Sequence, residues 1–289
     1  MYNLKETIST IDYPPPVDKL LTYGRPEPRS AQDWPDYLEL GLGAEHIPDL
    51  LRMTADEELW EAGEDASENW APVHAWRALG QLRAVNAVEP LLHLLVERVR
   101  DDWAIDELPQ VYGLIGAAAI PTIEAYLADK SHQEATGLIA ESLEIMTKLH
   151  PEDKPEAVAA LIRLLENFEE NDDELNGAII SSLVDLKVLE ALPLIERAFA
   201  AGRVDEFMTG DWDDVQVELG LKEAPPERPI FYDPFERRGQ PISPDQIKII
   251  PPSVMATPNP RYFSSGNPGE RKTKNKKVKQ SRKKNKKRR

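Results

Sequence analysis

Five histidines have the clearest potential for metal or acid–base chemistry, namely His46, His74, His93, His132 and His150. A metal site built on helices needs ligands three or four residues apart, or ligands that face one another on paired helices. No two of these histidines have the local spacing, and no His-Glu dipeptide occurs. We therefore expect histidines on loops and helix surfaces, or packed between helices, and neither a metal site nor a cofactor.

Nucleophilic and phosphate-binding motifs are also missing from the sequence. The chain contains no cysteine, which excludes disulfides and thiolate chemistry. The Gly-rich, P-loop and G-x-S-x-G patterns do not occur, and Ser181-Ser182 lies in an apolar helical pattern without a nearby histidine. Carboxylates are so abundant that no single pair indicates acid–base catalysis. The sequence predicts no catalytic residue and a non-enzymatic protein, with an enzyme of unrecognised type as the alternative.

Two clusters combine carboxylates with a tryptophan, and each allows two interpretations. In one, an aspartate caps a helix start, its neighbours suit the positive end of the helix dipole, and the tryptophan anchors the turn. In the other, the acids and the ring form a surface for cationic side chains of a partner. The clusters consist of Asp101, Asp102, Trp103 and Asp106, and of Asp211, Trp212, Asp213 and Asp214.

The net charge of −16 is divided unevenly along the chain. Residues 271–289 contain 13 of the 35 Lys and Arg residues and no acid, so the remaining 270 residues hold 22 bases against 51 acids, a net charge of −29. An acidic body repels nucleic acid phosphates, whereas a basic tail attracts them. The asymmetry predicts different partners for the two parts of the chain.

The basic tail, residues 269–289, has too few apolar side chains to offset the cost of ordering, and we expect it to be disordered. Its charge predicts salt-dependent contact with phosphates of RNA or the ribosome. Contact with the acidic body, a solubility role and an anionic membrane surface stay open as alternatives. The phosphate-binding candidates are Lys276, Lys277, Lys279, Arg282, Lys283, Lys284, Lys286, Lys287, Arg288 and Arg289.

An internal repeat sets the fold prediction. Five segments share a small or apolar pair, often a proline, and then spaced Leu or Ile, and they begin at residues 46, 87, 119, 157 and 191. The spacings of 41, 32, 38 and 34 residues are typical of two-helix repeats. Each segment is predicted to start a second helix, because proline is tolerated in the first helical turn. Amphipathic first helices are predicted over 72–82, 104–115, 135–149 and 174–186.

The repeats resemble a known family. The stretches AWRALGQLRAVNAVEPLLHLL, VYGLIGAAAIPTIEAYLAD and SLVDLKVLEALPLIERAFAAG are similar to the bacterial HEAT-like repeats first recognised in phycobilisome lyases. The resemblance covers about residues 36–205 and implies an all-α solenoid of about five helix pairs. It does not by itself imply bilin binding, because this repeat type serves many roles.

The remaining segments complete the predicted organisation. Residues 1–35 are expected to form an N-terminal arm, 206–223 a capping helix, and 224–268 a Pro-rich irregular segment that lies along the solenoid or serves as a ligand for a Pro-binding domain. The start of the chain lacks a signal-peptide pattern, and no stretch of 18 apolar residues occurs. We therefore expect a cytoplasmic protein.

Stacked repeats would present a large, rigid and acidic surface. The second helices are expected to line its concave face, with Glu97, Glu124, Arg163, Glu166, Glu196 and Arg197 exposed there. Such a surface suits a scaffold or adaptor for a basic protein or peptide. The alternative is an RNA- or ribosome-associated protein tethered by the tail, and the oligomeric state stays open.

Overall fold

The described part of the computed structural model consists of residues 12–27, 30–131 and 134–223. The chain divides into two units, Met1–Ala224 and Pro225–Arg289, and only the first contains described residues. No strand occurs in the described ranges, so the all-α prediction is confirmed there. The Pro-rich segment and the basic tail lie outside them.

Twelve α-helices follow one another in the described part of the chain, several of them introduced by a short 3-10 turn. They are α1 Ile47–Thr54, α2 Glu57–Glu61, α3 Ala71–Gln81, α4 Val88–Glu97, α5 Asp102–Ile115, α6 Ile120–Ala128, α7 Thr136–Leu149, α8 Lys154–Glu166, α9 Asp173–Asp185, α10 Leu192–Ala200, α11 Glu206–Thr209 and α12 Trp212–Glu218. The four predicted first helices match α3, α5, α7 and α9. The segment predicted as one capping helix contains two short helices, α11 and α12.

The helices pack in two rows. In the first row α1 packs on α3, α3 on α5, α5 on α7, α7 on α9, and α9 on α11. In the second row α4 packs on α6, α6 on α8, and α8 on α10. Each helix therefore buries its apolar stripe against neighbours that are near in sequence, and the buried side chains form one continuous core cluster.

Two expectations about the second helices are wrong in detail. The segment at 46–51 forms α1, which belongs to the first row, because it packs on α3 and is covered by the chain that precedes it. The second helix of the fourth repeat begins at Lys154 rather than near Ala157. Pro155 occupies the first turn of α8, as Pro121 does in α6 and Pro193 does in α10. Proline is tolerated there because the backbone N–H groups of the first turn make no hydrogen bond within the helix.

Glycines let the first-row helices approach closely. A Cβ atom added at Gly113 in α5 would lie 2.9 Å from Cγ2 of Ile145 in α7, and one added at Gly177 would lie 2.9 Å from the carbonyl oxygen of Asp205. Real Cβ atoms do not sit this close to other heavy atoms, so a side chain at either position would push the helices apart.

No single helix in the described ranges is long and apolar enough to cross a membrane. Helix α5 and the following segment Ala117–Ala128 pass the length and composition test only as a pair, and the pair is bent by 105°.

Leu91 in α4 tests the assignment of the second row, because its side chain is fully buried. We expect Leu91→Ala to lower the free energy of unfolding by about 2–5 kcal/mol through the cavity it leaves. Leu91→Asp should cost more, since it buries an unpaired charge, and should unfold or aggregate the protein. Urea unfolding followed by circular dichroism measures both changes.

Glu97, the exposed last residue of α4, provides the matched control. Glu97→Ala should change the free energy of unfolding by no more than about 0.5 kcal/mol. An unchanged melting temperature for Leu91→Asp would contradict the placement of α4.

Candidate functional site

The chain before α1 is part of the folded core. We call residues 12–27 and 30–46 the arm. Its 3-10 turns, Val17–Thr22, Ala31–Asp33 and Tyr37–Leu40, pack against α3 and α5, and Val17, Leu20 and Tyr37 have no exposed surface. The sequence predicted an arm over residues 1–35 and a solenoid from residue 36, and it did not predict that these segments are buried. The signal that was available is the concentration of aromatic and aliphatic residues among its prolines.

Two glutamines on the helices hold the backbone of the arm. The Oε1 atom of Gln110 in α5 accepts from the backbone N–H of Ala31 at 2.8 Å. Gln81 in α3 accepts from the N–H of Tyr37 at 2.8 Å and donates to the carbonyl oxygen of Pro35 at 2.8 Å. The backbone polar groups of the arm lose their contact with water when the arm packs on the helices. These bonds give them hydrogen-bond partners in its place.

A fully buried ion pair joins α3 to α5 beneath the arm. The guanidinium of Arg77 donates from Nε to Oε2 of Glu107 at 2.8 Å and from Nη2 to Oε1 at 2.6 Å, and both side chains have no exposed surface. The indole N–H of Trp76 donates to the same Oε2 atom at 3.0 Å. Burial alone would lower the pKa of Arg77, but its hydrogen bond to Glu107 and the carboxylate charge raise that pKa above its ordinary value.

The arm closes over this pair with aromatic side chains. The ring of Trp34 lies 4.7 Å below the guanidinium carbon of Arg77, a cation–π contact that is strongest where water is excluded. The hydroxyl of Tyr37 lies 2.6 Å from Nδ1 of His74, whose Nε2 lies 2.8 Å from the carbonyl oxygen of Gly24. A neutral imidazole satisfies both contacts, accepting from the hydroxyl and donating to the carbonyl.

Burial shifts the acid–base behaviour of both side chains. The pKa of Tyr37 rises to about 12, chiefly because burial disfavours the phenolate. The pKa of His74 falls to about 4, chiefly because burial disfavours the imidazolium, with the nearby Arg77 charge acting in the same direction and the bond to Gly24 opposing it. Both groups are therefore neutral near pH 7 and act as hydrogen-bonding elements of the core.

The first Asp-Trp cluster lies where the arm meets α5. Asp101 caps the helix, accepting from the backbone N–H groups of Trp103 and Ala104, as one of the two interpretations expected. Trp103 is only 9% exposed and packs edge-on against Trp70, with the ring centres 5.4 Å apart. The ring is therefore largely covered in this structure, and a partner would reach it only after a covering side chain moves. Asp102 is exposed and Asp106 is partly exposed beside it.

Arg25 of the arm makes a cation–π contact with both tryptophans. Its guanidinium carbon lies 5.5 Å from the centre of the Trp70 ring and 6.0 Å from that of Trp103. The surface that the sequence predicted for a partner's cation thus holds a cation of the arm.

The second Asp-Trp cluster lies at the end of the described chain and also caps a helix. Asp211 and Asp214 form a capping box at the start of α12, each carboxylate accepting from the backbone N–H of the other residue. Trp212 is partly exposed and packs on Phe199, and Asp213 pairs with Lys222 at 2.5 Å. The first cluster therefore lies on the first-row helix α5, whereas Trp212 of the second cluster contacts the second-row helix α10.

The six predicted surface residues all lie on second-row helices, one on α4, one on α6, two on α8 and two on α10. Arg163 forms a two-bond ion pair with Glu124 across α6 and α8, with distances of 2.8 and 3.0 Å. The hydrogen bond to Glu124 raises the pKa of Arg163. The guanidinium carbon of Arg197 lies 5.4 Å from the centre of the Phe168 ring.

The remaining three of the six are exposed carboxylates. Glu97, Glu166 and Glu196 are all exposed to solvent. The carboxylate charge of Glu166 also helps to raise the pKa of Arg163.

The described histidines hold structural positions. Nδ1 of His46 accepts from the backbone N–H of Gly43, His93 packs on Tyr126, and Nε2 of His150 lies 3.0 Å from the carbonyl oxygen of Leu114. Within the described ranges no group of three His, Cys, Asp or Glu side chains could hold a metal ion. His132 and the predicted phosphate-binding tail lie outside those ranges.

No protein-family model, no curated protein and no solved structure matches this chain. The similarity to HEAT-like repeats therefore stays a prediction from the repeated sequence segments.

The buried pair allows a test of how the arm and helices are joined. Glu107→Ala leaves the Arg77 charge buried and unpaired, so we expect a loss of about 3–5 kcal/mol in the free energy of unfolding. The double variant with Arg77→Met should lose clearly less than the sum of the two single variants, because the two side chains interact directly. Urea unfolding of the four proteins gives the coupling energy, and additive losses would show that the pair is not formed.

The lowered pKa of His74 predicts acid sensitivity. The unfolded chain binds a proton at its ordinary pKa of 6.5, whereas the folded chain binds one only near 4. The contribution of neutral His74 to the free energy of unfolding is therefore fully present above about pH 6.5. It is lost as the pH falls, and the free energy of unfolding drops by about 3 kcal/mol between pH 7 and pH 4. Comparing unfolding of the wild type and His74→Gln across that range isolates the effect from that of the carboxylates. Parallel pH profiles would contradict it.

Proposed function

We propose that this chain is a non-enzymatic scaffold or adaptor that binds a basic protein or peptide on the second row of a HEAT-like solenoid. The observation that carries the proposal is the set of exposed carboxylates Glu97, Glu166 and Glu196 on the second-row helices α4, α8 and α10. Helices packed in register hold such side chains at fixed separations, so a partner gains several contacts without ordering the surface first.

The charge of the chain defines the partner's chemistry. With −29 outside the tail, the body attracts cationic surfaces and repels phosphates over about a Debye length. The solvent-exposed ion pair between Glu124 and Arg163 links α6 to α8, and the exposed carboxylates lie on the same row of helices. Electrostatic complementarity of this kind raises the association rate and selects the sign of the partner's charge.

The two rows differ in what they offer. The first row is occupied by the arm at α3 and α5, through the glutamine contacts and the buried ion pair. The second row carries the exposed carboxylates of Glu97, Glu166 and Glu196. This difference supports a partner surface on the second row.

A charge-reversal experiment tests the proposal. Proteins that copurify with the full chain are compared with those that copurify with the variant carrying Glu97→Lys, Glu166→Lys and Glu196→Lys. Because each change turns an attraction into a repulsion, we expect basic partners to be lost or weakened at least about tenfold. The partners should also weaken for the wild type as salt is raised.

The matched control reverses three exposed acids elsewhere, with Glu61→Lys at the end of α2 and Glu64→Lys and Asp65→Lys in the segment that follows it. This variant has the same net charge and should retain most of the binding. Equal loss in both variants would mean that net charge alone, and not the second row, governs binding, and unchanged binding in the first variant would reject the surface.

The tail supports a second candidate, an RNA- or ribosome-associated protein. Residues 271–289 of the tail hold 13 basic residues among 19, which favours phosphate binding that weakens steeply with salt. Truncation after Glu270 separates the candidates: RNA lost with protein partners kept supports a scaffold with an accessory tail, whereas loss of all partners supports the tail as the main site.

A further inference from the structure

The contact of Arg25 with two tryptophans is unusual among the interactions of the arm. Trp70 and Trp103 are 7% and 9% exposed and meet edge to face, with their ring centres 5.4 Å apart. The Arg25 guanidinium lies within cation–π distance of both rings, at 5.5 and 6.0 Å, while Arg25 itself is an exposed residue. A cation that two rings contact and that water still reaches is held by a weak, reversible interaction.

The neighbouring contacts allow Arg25 to leave without the rest of the arm. Pro26 is buried on one side of it, and the carbonyl oxygen of Gly24 is bonded to the buried His74 on the other. The main anchors, Val17, Leu20 and Tyr37, are fully buried and lie on either side of Arg25 in the chain. The exposed Arg25 side chain can therefore rotate away from the two rings without moving those anchors.

The chemistry of this place selects arginine. A guanidinium is planar, stacks on aromatic faces and is more weakly hydrated than an ammonium group, so it loses less on leaving water for a tryptophan surface. Asp102 is exposed at the start of α5, one residue before Trp103, and the helix cap Asp101 precedes it. The local charge therefore favours a cation over a neutral side chain.

We propose that the Trp70–Trp103 pair is an arginine-binding site that Arg25 occupies when no partner is bound, so that an arginine of the basic partner competes with Arg25 for it. This inference rests on the proposed function, and it adds the residue type that the partner presents and a built-in competitor that sets the affinity. It places a second contact area on the first row, apart from the carboxylates of α4, α8 and α10.

The test uses the full chain and two capped peptides, hexaarginine and hexalysine, with binding measured by titration calorimetry. Because Arg25→Ala removes the competitor, hexaarginine should bind about two- to five-fold more tightly than it does to the wild type. Arg25→Lys should give a smaller gain. Hexalysine should show only the gain that follows from the loss of one positive charge.

Arg52→Ala provides the matched control. Arg52 is another partly exposed arginine, held over the ring of Tyr13 at 3.9 Å and away from the tryptophan pair. Its loss changes the net charge equally, so it should raise the affinity for both peptides by the same small factor. If Arg25→Ala behaves like Arg52→Ala with both peptides, the inference is wrong.

Fluorine NMR of protein labelled with 5-fluorotryptophan reports on the site directly. Arg25→Ala should shift the Trp70 and Trp103 signals, assigned through Trp→Phe variants, and hexaarginine should shift them back toward the wild-type positions. Signals that do not respond to hexaarginine would overturn the inference. The proposed function is judged separately, because copurification with the charge-reversed second row does not depend on the tryptophan pair.

Discussion

The buried ion pair between Arg77 and Glu107 is the constraint on which the rest of the structure depends. Two opposite charges with no exposed surface are stable only if their mutual hydrogen bonds and neighbouring groups compensate for the water they lose. That requirement fixes the spacing of α3 and α5, orients Trp76 toward the carboxylate and draws Trp34 over the guanidinium. It thereby makes an irregular N-terminal segment part of the core.

This constraint also divides the surface of the molecule. The arm covers part of the first row and fills the place that an acidic aromatic surface would have offered to a partner, with Arg25 on the Trp70–Trp103 pair. The second row carries exposed carboxylates on α4, α8 and α10, and the ion pair between Arg163 and Glu124 links α6 to α8. The proposed scaffold for a basic partner relies on this division, with the first row supplying rigidity and the second row supplying charge.

The sequence predicted the helices well because their signals are local. Amphipathic periodicity located α3, α5, α7 and α9, and the aspartates at 101 and 211 cap helices as their position before an apolar run indicated. The row of α1 was not predictable from its own segment, since that segment shares the proline start of α6 and α10. What decides its row is packing against α3 and the arm.

The candidate site was harder to predict, for a different physical reason. Arg77 and Glu107 are 30 residues apart and stand among 35 basic and 51 acidic residues, so nothing local marks them as a buried pair. Trp103 allowed two interpretations, an anchor of the turn or part of a partner surface. An aromatic residue beside acids does not show by itself which other residues pack against its ring. Arg25, whose guanidinium lies near the Trp103 ring, is distant in sequence and contributes only a weak cation–π contact.

Native-state hydrogen exchange tests most directly whether the arm and helices form one cooperative unit. The decisive amides are those of Ala31 and Tyr37, which donate to Gln110 and Gln81. If the buried pair joins the arm to α3 and α5, these amides should exchange with the same opening free energy as the core amides of both helices. Exchange of the two arm amides through a separate opening of much lower free energy, with the helices still protected, would contradict the account.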